Sequence, residues 1–161
     1  MLLHLELFAL AALAVTGDGA KATTTHLRFY LHDIVTAGTT PLPADPRTRF
    51  GDMYVFDDPL TEGPHAGSRA VGRAQGFYLV ASQTELALMF SFNLVFTAGP
   101  HNGSTVAVLA RDLLTAKVRE LSVVGGTGAF RGATGHGLLR THSVDFPNMN
   151  AVLKIDMYLR R

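Results

Sequence analysis

An all-β chain closed into an antiparallel barrel is the fold this sequence predicts, and three observations carry it. Beyond residue 25 the chain is a series of short strand-like runs punctuated by Gly, Pro, Asn and Asp. It shows no long amphipathic helical pattern and no internal repeat of roughly 20–50 residues. One run, Leu86–Thr97, alternates with period two yet has no clearly wet face, which suits a closed barrel inside an oligomer.

The elements follow in order. Leu27–Val35 is the first strand: Leu27, Phe29, Leu31, Asp33 and Val35 share one face, and Arg28, Tyr30, His32 and Ile34 the other. Thr36–Thr48 is a loop rich in Pro, Gly and Thr. Met53–Phe56 reads as a short strand ended by Asp57-Asp58-Pro59, and Thr61–Ser68 as a second loop. Ala70–Ala81 and Leu86–Thr97 form a hairpin pair joined by Ser82–Glu85. In the second of these, Leu86, Leu88, Phe90, Phe92, Leu94 and Phe96 make a bulky face that requires a core. Its other face, Ala87, Met89, Ser91, Asn93, Val95 and Thr97, is mixed and smaller. After a turn at Ala98–Gly103 come strands at Ser104–Arg111, Val118–Val124, Gly137–Thr141 and Ala151–Leu159, about eight in all.

Composition narrows the function classes. The 161 residues suffice for one domain, and only 17% are charged, against 47% hydrophobic. That charged share is below the usual ~25% and favours an oligomer or a ligand cavity. Fourteen basic residues balance thirteen acidic ones and are scattered, singly but for the terminal Arg160-Arg161, which argues against nucleic acid. There is no cysteine, so disulfides, thiolate chemistry and Cys-based zinc sites are excluded.

The first residues carry an apolar run from Phe8 to Val15, too short to span a bilayer but suited to a signal peptide. Ala20-Lys21-Ala22 supplies a cleavage pattern, so residues 1–22 read as a signal and 23–161 as the mature domain. No Lys or Arg precedes the run and Glu6 interrupts it, both unusual for a signal. Asn102-Gly103-Ser104 is an N-glycosylation acceptor in a turn.

The glycine-rich stretch Val123–Gly132 lacks phosphate-loop spacing and is not followed by a helix, so it reads as a strand-to-strand turn. Seven histidines form no helical H-x-x-x-H pair and no ligand-like cluster, and no metal site is expected. No nucleophile elbow is present. Asp33 is the residue that stands apart, because it lies on the apolar face with Leu27, Phe29 and Leu31. A carboxyl there is either held by strong hydrogen bonds as a structural acceptor, or has a raised pKa and can move protons.

Several stretches together resemble the dirigent family of plants. They are Phe29–Ile34, Tyr54–Pro64, Val71–Tyr78, Asn102–Thr105 and Val118–Gly128, in the family's order and spacing. The resemblance spans roughly residues 27–159. It implies an eight-stranded, calycin- or allene-oxide-cyclase-like barrel, usually a homotrimer, exported to the apoplast. It implies no cofactor. Members guide coupling of phenoxy radicals made by a separate oxidase, a laccase or peroxidase, as in lignan formation. A related group closes rings of isoflavonoid alcohols through quinone methides. Asp33 matches the family's acidic residue on the first strand, and Tyr78 a pocket tyrosine; Phe29 and Leu31 share the Asp33 face. Other pocket positions depart. Ala129 stands where lignan-forming members carry a second aspartate, Thr134 where they carry an arginine, and Val80 and Ala151 where they carry aromatics. These departures weaken the expectation of lignan-type coupling. They leave three functions in contention: radical-coupling guide, dehydratase-like cyclase acting through Asp33, and a binding or defence module without chemistry.

Export predicts a mature chain beginning near Thr23 and a glycan on Asn102. N-terminal sequencing and intact mass of the protein recovered from plant cells check both, and an unprocessed, unglycosylated cytosolic chain would contradict them.

Overall fold

The computed structural model describes residues 23–34, 38–39 and 48–161. The expected signal, residues 1–22, lies outside the described residues, as do Val35 and most of the expected 36–48 loop. The strands are β1 (Thr24–Asp33), β2 (Gly38–Thr39), β3 (Met53–Thr61), β4 (Ala70–Val80), β5 (Ala87–Phe96), β6 (Thr105–Leu113), β7 (Arg119–Thr127), β8 (Thr134–Asp145) and β9 (Asn150–Arg160). Their order is β1-β9-β8-β7-β6-β5-β4-β3, with β3 returning to β1. Eight strands thus close an antiparallel barrel, and the two-residue β2 lies on the side of β3.

Two expectations about strand ends change. The third strand does not stop at Phe56 but runs through Asp57-Asp58-Pro59 to Thr61. The ladder between β1 and β3 covers only Leu60 and Thr61, which leaves an unladdered edge upstream where proline is tolerated. The eighth is also longer than the expected Gly137–Thr141, because a bulge between Thr141 and Ser143 carries it into the hairpin with β9.

Alternation decides what faces inward. Phe56 and Leu60 on β3, Phe90, Phe92, Leu94 and Phe96 on β5, and Leu153, Ile155, Met157 and Leu159 on β9 are all buried in one cluster. Gly76 on β4 gives these rings room: a Cβ there would stand 2.2 Å from the Ser91 carbonyl and 2.5 Å from Phe92.

The two ends of the barrel differ. At one, Phe130 packs against Phe96 at 5.4 Å and against His101 at 4.8 Å between ring centroids. The glycine-rich stretch leads into this plug as the expected turn, with Gly128 at φ +57° opening a 3-10 turn over Gly128–Phe130. At the other end β1 finishes at Asp33, paired with Ala151 at the start of β9.

The outer wall of β3 to β6 carries an apolar strip among polar rows. Register places Val55, Phe77, Ser91 and Leu109 in one cross-strand row, and Val55, Phe77 and Leu109 are exposed by 56%, 38% and 43%. Met89 on β5 and Val124 on β7 extend the patch. A contiguous strip of this kind predicts self-association through the wall. Light scattering at micromolar concentration is expected to give a trimer, and Leu109→Glu to shift the mass toward monomer. A wild-type monomer would contradict it.

A candidate active site at the open end of the barrel

The site begins with β3 continuing past Phe56. Phe56, Asp58 and Leu60 alternate inward, and Asp58 is 2% exposed. Antiparallel pairing of Leu31 with Leu60 makes Asp33 and Asp58 cross-strand neighbours on the lumen face, one step beyond the last paired residues. The Ile34 amide donates to Asp58 Oδ1 at 3.5 Å, while Asp58 Oδ2 is buried and has no hydrogen-bond partner among the described residues. Asp58 is the residue that sequence reasoning missed. Its Asp-Pro context reads as a turn, but the period-two series Tyr54, Phe56, Asp58, Leu60 would have found it.

Tyr78 enters from β4. Its ring stacks on Tyr54 at 4.9 Å and 19°, and its other neighbours are Phe56 and Phe90. Tyr54 is held in turn by its hydroxyl, which donates to Asp52 at 3.3 Å and accepts from Arg49 at 2.7 Å. A rigid aromatic wall results, with Tyr78 beside the two carboxyls.

A second polar group completes the lumen. Asp112 on β6 and Arg119 on β7 are 3% and 5% exposed and pair through Arg119 Nη1 at 3.3 and 3.4 Å from the two carboxylate oxygens. Arg119 Nη2 donates to Thr141 Oγ1 at 2.8 Å, and its Nε is buried without a partner.

Electrostatics follow from burial. Desolvation, with the nearby Asp112, raises Asp33 to about 6. Desolvation, with the charge of Asp33, raises Asp58 to about 7. Burial also raises Asp112, opposed by Arg119. The Tyr78 hydroxyl is pushed well above its ordinary range by desolvation and by Asp33, Tyr54 and Asp58. The lumen therefore holds carboxyl groups that keep their protons to higher pH than ordinary carboxylates, beside apolar rings. Of the two alternatives for Asp33, a structural acceptor or a titrating group, this environment favours the second.

The structure gathers some sequence-named residues here and leaves others elsewhere. Asp33, Tyr78 and Leu31 come together, and Val80 lies buried two residues beyond Tyr78 at the end of β4, outside the main core cluster. A cleft of about 230 Å3 opens onto Asp33, with Pro59 and Ala151 in its walls. Phe29 is deeper in the core, edge-on to Phe96. Ala129 and Thr134 are at the plugged end: Ala129 N–H donates to Ser104 Oγ, and exposed Thr134 pairs with Arg160, far along β9 from Ala151. Asn102 is exposed after the 3-10 turn Gly99–His101.

Raised carboxyl pKa values carry a stability consequence with a definite sign. Between pH 4 and 7 the folded state binds more protons than the unfolded one, so these groups weaken the fold as pH rises. Asp156, held low by its cations despite burial, acts oppositely and only at lower pH. Urea unfolding of Asp58→Asn is expected to show a gain over wild type that grows from pH 4 to pH 8, by on the order of 2 kcal/mol. A difference independent of pH would mean Asp58 titrates normally.

With this geometry in view, the likenesses to known proteins are informative. The family profile described as Dirigent-like protein matches residues 24–160. Pterocarpan synthase 1 of Glycyrrhiza echinata is 43% identical over 145 residues, covering 84% of this chain and 77% of that protein. Dirigent protein 1 of Arabidopsis thaliana is 43% identical over 144 residues, covering 84% and 78%. A solved pterocarpan synthase dirigent protein aligns with a TM-score of 0.80 at 38% identity, covering 90% of this chain and 88% of that one. The barrel and the sequence agree: this chain belongs to the dirigent family.

Proposed function

We propose that this protein closes a ring on a phenolic alcohol by proton transfer within the lumen, with loss of water and no oxidant. The observation that carries the reading is the pair Asp33 and Asp58, two neighbouring carboxyls that burial raises to about 6 and about 7, one with a buried oxygen that has no partner among the described residues. The likeness to pterocarpan synthases supports an isoflavonoid-type alcohol as substrate class.

The steps balance without an added reagent. A protonated carboxyl, Asp58 or Asp33, gives its proton to the substrate hydroxyl; the C–O bond breaks and water leaves. A conjugated phenol gives its proton to Asp112, and a quinone methide forms. Arg119, with its free Nε–H, steadies the negative charge that develops on the phenol oxygen. A second phenolic oxygen then attacks the electrophilic carbon and forms the ring. Its proton returns to the first carboxylate, and Asp112 returns the other. Phe56, Phe90 and the Tyr54–Tyr78 stack exclude water and present flat faces to aromatic rings.

The other expectation is guidance of phenoxy-radical coupling, with radicals from a laccase or peroxidase. It uses the same lumen as a template and has no need of the carboxyl protons. The named dirigent relatives keep it in view.

One assay separates the two. Isoflavanol-type alcohols incubated with the protein alone are expected to cyclise. Monolignols with laccase, read by chiral chromatography, are expected to give the same racemic products with and without it. Asp33→Asn and Asp58→Asn should each fold and bind phenolics while turnover falls about 10²–10⁴-fold. Tyr78→Phe should be milder, since the ring is kept. Because a protonated carboxyl is needed to expel water, wild-type rate should decline as pH rises through 6 to 7. No cyclisation by wild type, together with stereoselective coupling under laccase, would overturn the reading in favour of radical guidance.

A further inference from the structure

The barrel wall diametrically opposite the apolar patch is cationic. Strand β9 is four strands from β5 in either direction around the barrel, and its outward residues are Lys154, Asp156, Tyr158 and Arg160. Register brings neighbours from β1 and β8 beside them. Arg28 lies across from Asp156, Tyr30 and Arg140 flank Lys154, and His26 and His136 flank Tyr158.

The charge on this wall is lopsided. Asp156, with its side chain 4% exposed, accepts from Arg28 Nε at 2.6 Å and is bonded to His26 Nε2 at 3.0 Å. Arg140 and Lys154 stand off at 3.8 and 4.0 Å. With Arg160, four permanent cations face Asp156 and Glu120 of the adjacent β7, in a chain whose basic and acidic residues number 14 and 13. Two carboxylates cannot neutralise four cations, and the side chains of Arg28 and Arg140 are 53% and 41% exposed.

We infer that this wall binds an extended carboxylated polysaccharide, a polyuronate. Charge complementarity selects an anion, and its spread over three strands selects a polymer over a single small ion. Two features select among polyanions. Tyr158 is sandwiched between His26 at 4.7 Å and His136 at 5.2 Å, so it has no open face for a nucleic-acid base to stack on. Among the described residues, the exposed large apolar side chains on or beside these strands, Ile34, Val144, Phe146 and Met149, gather at the end of β1 and the β8–β9 hairpin, so the stretch holding the cations lacks the anchors a protein interface needs. What remains is a flat array of cations and hydrogen-bonding side chains suited to repeated carboxylates and hydroxyls. An oligomer built through the opposite wall would leave this face outward. The inference is independent of the lumen chemistry.

The test uses the full chain and three probes at low and high salt: polygalacturonate, the same polymer fully methyl-esterified, and a single-stranded DNA oligonucleotide. Polygalacturonate is expected to bind at low salt and to be released at high salt, with the ester binding at least about tenfold more weakly. Arg140→Gln combined with Lys154→Gln should weaken binding by a similar factor with unchanged thermal melting. Arg111→Gln, on β6, should have no effect. Equal binding of acid and ester, tighter binding of DNA, no binding of any probe, or insensitivity to the double substitution would each overturn the proposal.

Discussion

The barrel closes through a ladder of two residue pairs, Tyr30 with Thr61 and Leu31 with Leu60, and the contents of the lumen depend on that joint. Side chains alternate with period two, so a slip of one residue would turn Asp58 outward and bring Asp57 or Pro59 in. The outside of the joint is pinned by His32 Nε2 and Thr61 Oγ1 at 2.7 Å, with Thr61 in turn donating to the Gly63 carbonyl at 2.8 Å. Burial lowers the pKa of His32, which keeps the ring neutral in that contact. The bulge between Leu60 and Thr61 lets β3 turn from β4 toward β1 at this point.

Closure creates a space in which carboxyl groups lose most of their hydration. Asp58 and Arg119 each retain a buried polar atom without a partner, and such atoms cost stability, typically about 1–3 kcal/mol apiece. A fold that tolerates this at two positions facing one lumen holds groups ready for a ligand's polar atoms. The same desolvation raises the carboxyls, so the feature that weakens the fold also keeps the protons available for chemistry. The apolar rings around them supply the burial that offsets the penalty.

The outside of the barrel is divided as sharply as the inside. Outward positions on β3 to β6 carry Val55, Phe77, Met89 and Leu109, whereas those on β1, β9 and β8 carry Arg28, Lys154, Arg160 and Arg140. The apolar patch is drawn from consecutive strands, β3 to β6, whereas the cationic wall joins β8 and β9 to β1 from the other end of the chain. A cylinder of eight strands lets one face associate with like copies while the opposite face, four strands away, stays in contact with solvent.

Much was determined by local sequence. Alternation in Leu27–Asp33 and Leu86–Thr97 identified inward faces, because a strand's side-chain period is set by backbone geometry alone. Asp33 among Leu27, Phe29 and Leu31 was recognisable as a carboxyl in an apolar environment for the same reason. Tertiary structure decided the rest. Asp58 reads locally as part of a turn, and only pairing with β4 and β1 keeps it in a strand facing Asp33. Asp112 and Arg119 are unremarked in sequence until the hairpin of β6 and β7 buries them together. Ala129 and Thr134, neighbours of the glycine turn, are carried to the plugged end because the turn folds over Phe130. Apart from the adjacent Arg160 and Arg161, the basic residues stand singly along the chain, and charge pattern alone shows no surface. Register across three strands brings four of them to one wall, since proximity in a barrel is set by strand order and pairing and not by distance along the chain.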